Sequence, residues 1–262
     1  MVTSFPVPPS PGVGYDETSG EYSASYSSTR ASYAVTKTAT GISVRDSDGV
    51  TDTYTGIDRL KFSDMTVNLM IQPKAAAAPA AEVTRLIELY VAFQNRVPDA
   101  DGLTYWIDQR MQGKSIDSIA DVFYEASVDR AAFTGYSATM TNEQFVNIIY
   151  RNVLGRKEGG DAEGVAYWTG ELASGHASKG SLVSTMLDSA HWLKGRDSPY
   201  AWSADLLDNK IAVARAFAVD WGLNFNTPED SIAHGIEIVA AITPTDTSAA
   251  IRLIGVSDTS LV

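Results

Sequence analysis

From Glu82 onward, apolar residues recur at helical spacing. Val83, Leu86, Ile87, Tyr90, Val91 and Phe93-Gln94 form one stripe, the mark of a helix that lays one face on a core. Asp99-Ala100-Asp101-Gly102 then opens a second helix bearing Leu103, Trp106, Ile107 and Met111, with Gly113 as its stop. Ser115 caps a third, carrying Ile116, Ile119, Val122 and Phe123. Thr141-Asn142-Glu143-Gln144 has the spacing of a reciprocal capping box and precedes Phe145, Ile148, Ile149 and Val153. Asp161-Ala162-Glu163-Gly164 opens the next helix, with Val165, Trp168 and Leu172. Ser178 or Ser181 starts another, with Leu182, Val183, Met186 and Leu187. Past Gly195 the pattern predicts a long helix over 204–221 stopped by Gly222. A further helix is capped by Thr227, with Pro228 at its first position and acids in its first turn. A short last helix is expected over 248–254.

Upstream the period changes to two. Tyr33 and Val35 alternate with polar neighbours, as do Ile42 and Val44. Asp46-Ser47-Asp48-Gly49 then reads as a tight turn, followed by Leu60 and Phe62, a turn at Ser63-Asp64, and Val67-Asn68-Leu69. Residues 28–72 are therefore expected to form a small antiparallel sheet of about three to five strands, which needs something to pack on. Residues 1–27 are rich in Pro, Ser, Gly and Tyr and lack a period. They read as a flexible or docking arm, with Tyr15, Tyr22 and Tyr26 as contacts for a neighbouring subunit. Residues 73–82 read as a linker, because Pro73 and Pro79 interrupt what would otherwise be an alanine helix. The expected fold class is mainly α. Two repeated three-helix units (83–135 and 141–195) and closing helices with a tail (196–262) follow the small antiparallel β segment.

The two units share more than period. Asp99-Ala100-Asp101-Gly102-Leu103-Thr104-Tyr105-Trp106 returns as Asp161-Ala162-Glu163-Gly164-Val165-Ala166-Tyr167-Trp168. Leu89-Tyr90 precedes Asn95-Arg96 as Ile149-Tyr150 precedes Gly155-Arg156, and two extra residues near Gly159-Gly160 shift the second register. A duplicated unit of this size is a packing module.

On these residues, on the string over 147–156 and on the closing segment from Asn209-Lys210 to Trp221-Gly222-Leu223-Asn224-Phe225, the chain over about 84–255 resembles the DUF4214 family. Residues 52–64 resemble a short β segment of exported bacterial proteins that carry RTX calcium repeats and DUF4214 domains. The helical repeat is also similar to the phycobilisome linker domain, a non-enzymatic scaffold. The resemblance implies a secreted or surface protein, of the kind that includes S-layer and adhesin-like proteins. RTX nonapeptides are missing: residues 159–164 look like a single copy, aligned to the helix-opening turn, so no calcium β-roll is expected.

Composition narrows the classes. The chain has 262 residues, 44% of them hydrophobic and 20% charged, ordinary for a folded soluble protein with its own core. Twenty basic against 32 acidic residues leave a net charge of −12. That charge repels phosphate backbones and anionic membranes and attracts divalent cations, so neither a nucleic-acid partner nor membrane insertion is expected. The absence of cysteine excludes disulfides, thiol catalysis and zinc-thiolate sites. The first residues lack a Sec-type signal, and no apolar run is long enough to span a bilayer. Ser257-Asp258-Thr259-Ser260-Leu261-Val262 looks like the uncleaved signals of type I secretion substrates.

Candidate chemistry is sparse. Asp99, Asp101, Asp161 and Glu163 suit helix N-termini, where acids cap free amides. The same four, with Asp46 and Asp48, are the candidate ligands for calcium, the one cofactor considered, although EF-hand spacing is missing. Trp106 and Trp168 fall on inward stripes as packing anchors, whereas Tyr105 and Tyr167 offer rings for stacking on sugars. Arg96 and Arg156 are placed to bond helix-terminal carbonyls or to pair with the nearby acids. His176, His191 and His234 share no ligand spacing, and no nucleophile-elbow, P-loop or zinc-protease motif is present. The expectation is a non-enzymatic exported bacterial surface or extracellular-matrix protein that self-assembles as a homo-oligomer or homopolymer. The alternative is an adhesin module that binds surface glycans.

Overall fold

A computed structural model describes residues 12–256. It is mainly helical, with a small β segment ahead of the helices. The strands are β1 (Gly14–Asp16), β2 (Glu21–Ser25), β3 (Ala34–Lys37), β4 (Ile42–Arg45), β5 (Thr51–Tyr54), β6 (Arg59–Lys61), β7 (Met65–Asn68) and, far downstream, β8 (Leu223–Phe225). The helices are α1 (Ile71–Ala77), α2 (Ala80–Gln94), α3 (Ala100–Met111), α4 (Ile116–Asp129), α5 (Ala131–Thr134), α6 (Asn142–Leu154), α7 (Ala162–Ser174), α8 (Lys179–Trp192), α9 (Trp202–Arg215), α10 (Pro228–Ala240) and α11 (Ser248–Ile254).

The β segment is richer than one antiparallel sheet. A five-stranded sheet runs β1-β2-β6-β7-β8, and a separate three-stranded meander runs β3-β4-β5. Because the meander is inserted between β2 and β6, these two strands pair in parallel, Ala24 opposite Leu60. A parallel pair requires a long crossover of this kind. Asp46 holds the turn between β4 and β5 by accepting the Asp48 and Val50 amides at 3.0 and 2.8 Å.

The described part of the expected arm is strand. Residues 14–25 form the β1–β2 hairpin, with Tyr15 opposite Tyr22. Tyr26 stacks on Phe62 and donates or accepts a 2.9 Å bond with Tyr54. These tyrosines thus serve the chain's own sheet; residues 1–11 lie outside the described residues. The expected linker is also ordered, since Pro73 sits in the first turn of α1, where its missing N–H costs nothing, and Pro79 stands just before α2.

The two units pair like with like. α2 packs on α6 and α4 on α8, while α3 and α7 lie on the flanks. α2 is buried on nearly every side, from Val83 to Gln94, as a helix apolar all round must be. α9 packs on α2, α6 and α8 and ends in a π-helical turn over Ala216–Asp220. The chain then turns at Gly222 into β8, which joins β7 with Val67 opposite Leu223. One continuous apolar core links the sheet to both units.

Candidate functional site

The repeated residues form the same clamp twice. In the first unit the Arg96 guanidinium lies over the Tyr90 ring, 4.8 Å from its centre, and Nη1 donates to Asp99 at 3.0 Å. In the second, Arg156 lies 5.2 Å from the Tyr150 ring centre and donates to Asp161 at 3.0 Å. Of the two roles open to these arginines, pairing with the nearby acid is realised in both copies. Arg96 also donates to the Val97 carbonyl. Each tyrosine hydroxyl ends against the glycine of the acidic turn: Tyr90 against Gly102, Tyr150 against Gly164. A tyrosine, an arginine, an acid and a glycine spaced along one short stretch of chain are thus one packed object. Burial pushes both tyrosines above the usual phenol range.

Residues 125–194 match DUF4214, a domain of unknown function. The matched span runs from the end of α4 through α8. No curated protein and no solved structure matches the chain.

The two clamps differ in what surrounds them. In the DUF4214 unit Asp161 caps α7 by accepting the Gly164 amide at 2.9 Å, which holds its carboxyl below the usual range. Tyr200 covers the outer face of Arg156, 3.8 Å away. In the first unit Asp99 makes no such cap bond, and the α3 N-terminus is tied to the sheet instead. Asp101 accepts from Arg59 at 2.8 Å and from Asn68 at 2.8 Å, and its own amide donates to Asn224 at 2.8 Å. Glu163, at the matching place in α7, has no partner among the described residues.

The acids considered for calcium are therefore placed separately. Asp99, Asp101 and Asp161 hold arginines, Asp46 holds its own turn, and Asp48 and Glu163 face solvent. Among the described residues no three His, Asp or Glu side chains converge as a metal-ligand group. The histidines are dispersed too. His191 Nε2 lies 2.6 Å from Glu88, His176 3.7 Å from Glu171, and His234 stacks on Phe225.

Tyr105 and Tyr167 are 53% and 58% exposed, each edge-on to its neighbouring tryptophan. Trp106 and Trp168 pack against the core but stay half-buried, because α3 and α7 are flank helices.

The clamp of the first unit borders a cleft of about 650 Å³ between α3, α4 and the β8–α10 connection. Four polar residues at its wall are more than nine-tenths buried: Asn224 (5% exposed), Ser231 (7%), Gln94 (8%) and Arg96 (9%). Gln94 Oε1 accepts from Arg96 Nε at 2.7 Å, which directs its amide nitrogen elsewhere. The sequence pattern places Gln94 on the apolar stripe of α2 rather than at a site, and does not single out Ser231. The only trace of Gln94 as a site residue is that the second unit has Leu154 at the matching position.

Proposed function

We propose that this chain is a non-catalytic bacterial assembly module that acts outside the cell and self-associates through the outer face of α7. The observation that carries this reading is an asymmetry between the flank helices. α3 is covered by α1 and the sheet, with Leu103 and Ile107 fully buried, and Lys74 of α1 pairs with Asp108 at 2.6 Å. α7 packs on α6 and has no fully buried residue. At the position matching Asp108 it carries Gly170, where an added Cβ would meet nothing within 4 Å. A shallow groove of about 730 Å³ runs along it past Val165, Ala166, Thr169 and Ala173. Thr169 Oγ1 is buried there without a partner. Small side chains admit a close helix, and the pseudo-symmetric α3 already has a helix in that place.

The occupant proposed is α7 of a second copy, which gives a self-complementary interface. The extracellular setting rests on the family resemblance, the acidity and the lack of cysteine. Glu143 and Glu158 flank the groove, so divalent cations are expected to favour association by screening like charges. Size-exclusion light scattering with and without calcium tests the reading. The natural chain should exceed the monomer mass, and Gly170→Arg should run as a monomer with an unchanged melting curve. A natural chain that stays monomeric in both conditions, or a Gly170→Arg chain that associates as before, would overturn it.

A further inference from the structure

We propose that the cleft beside the first clamp is a binding site for a neutral, hydroxyl-rich ligand, a saccharide unit. Its volume of about 650 Å³ falls in the range of small-ligand sites. Its wall is built rather than incidental. The hydroxyl of Ser231, the amide nitrogen of Gln94 and Nη2 of Arg96 make no hydrogen bond among the described residues, and these largely buried residues line the cleft with those donors unused. Three donors without a protein partner on one wall are free to bond a ligand that enters the cleft. Asp99 uses one carboxylate oxygen for Arg96, and exposed Asp129 has no partner, which leaves acceptors beside the donors. Phe225 and Ile232 supply an apolar wall.

Charge selects the ligand class. Arg96 and Arg130 line the cleft together with Asp99, Asp101 and Asp129, two cations and three carboxylates, so a bare anion gains little. A ring with adjacent hydroxyls satisfies both sets. One hydroxyl oxygen accepts from Gln94 and Arg96, and its neighbour donates to Asp99 or Asp129. The second unit is an internal control. It keeps the Arg–Asp pair but replaces Gln94 by Leu154 and closes over Arg156 with Tyr200. The clamp alone therefore needs neither the amide nor the opening. The inference is independent of self-association.

The test is saturation-transfer NMR of the full chain with glucose, galactose, mannose, lactose and maltose, followed by titration of those that respond. At least one should bind below about 10 mM. Gln94→Leu, the residue found in the second unit, and Ser231→Ala should each weaken it about tenfold or more with unchanged melting. Should Gln94→Leu fail to fold, Ser231→Ala carries the comparison. Tyr105→Ala and Tyr167→Ala should leave binding intact. No binding by any of the five sugars overturns the proposal. So does loss of binding in Tyr105→Ala or Tyr167→Ala but not in the cleft variants, or a preference for acetate or sulfate over the sugars.

Discussion

The hydroxyl of Tyr90 stands 2.6 Å from where a Cβ on Gly102 would lie. The glycine of the acidic turn is therefore demanded by the tyrosine of the preceding helix. Gly102→Ala is expected to destabilise the fold by about 1–3 kcal/mol through overpacking. Combined with Tyr90→Phe it should cost less than the sum of the single changes. A double-mutant cycle by urea unfolding measures that coupling, and strictly additive costs would refute the link. Gly164→Ala with Tyr150→Phe should behave alike, since the second unit has the same contact.

Helix α6 ends on Gly155 in the left-handed region at φ +67°, with Leu206 and Trp202 packed against its Cα. Gly135, at φ +74° after α5, has open space around it. Alanine at Gly135 should cost about 1–2 kcal/mol, the backbone strain alone. At Gly155 a further 1–3 kcal/mol of overpacking is expected. Equal midpoints for the two variants in denaturant would rule out the packing part.

Lys210 is buried beneath both units, where Nζ donates to Asn95 Oδ1 at 2.9 Å and to the Asn152 carbonyl at 2.8 Å. Burial pushes its ammonium from 10.5 down to about 8. Between those two values the unfolded chain binds the proton and the folded chain does not. Stability should therefore rise with pH through that window. Unfolding free energies at about pH 7.5 and 9.5 should show the rise in the natural chain and a flatter response in Lys210→Met.

His191 links α8 to α2 and α9, with Nε2 2.6 Å from Glu88 and Nδ1 3.7 Å from Asp208. The Glu88 bond first, then the charges of Glu88 and Asp208, raise it above its usual 6.5 against burial and the nearby Arg85. The folded chain thus holds the proton more tightly than the unfolded chain. Its contribution is present in full below 6.5 and is lost as pH rises through the raised value. Melting temperature should fall over that interval in the natural chain and fall less in His191→Gln. An identical profile in the two would refute the linkage.

The helices were legible because each advertises its own ends and stripe. Thr141–Gln144 forms the reciprocal cap its spacing implies, and Thr227 caps α10 with Pro228 behind it. What was hidden depends on partners distant in sequence. Periodicity cannot show that Tyr22 and Tyr26 have strand and ring partners near Asp58 and Phe62, so residues 14–25 looked unstructured. Nor does it show that α1 survives its proline because Pro73 falls in a first turn. For the candidate site, the repeat exposed Arg96 and Asp99. Gln94 and Ser231 stayed invisible as site residues, since nothing local marks which polar residues will line a cleft. The acids at 101 and 163 look equivalent in sequence and differ only because Arg59 and Asn68 reach one of them. The C-terminal stretch over 257–262 lies outside the described residues.

The place of β8 has a consequence for how the chain reaches its fold. Val67 leaves the ribosome well before Leu223, the residue it pairs with in β8. Until then the outer edge of β7 has no partner strand, and unpaired edges recruit other chains. Contacts this far apart in sequence also close slowly. The helices between them can pack meanwhile, because their contacts are closer in sequence. Synthesis thus lets the helices between them pack before the β7 edge is covered, and a ribosome that stalls before residue 223 leaves a helical body with an open sheet.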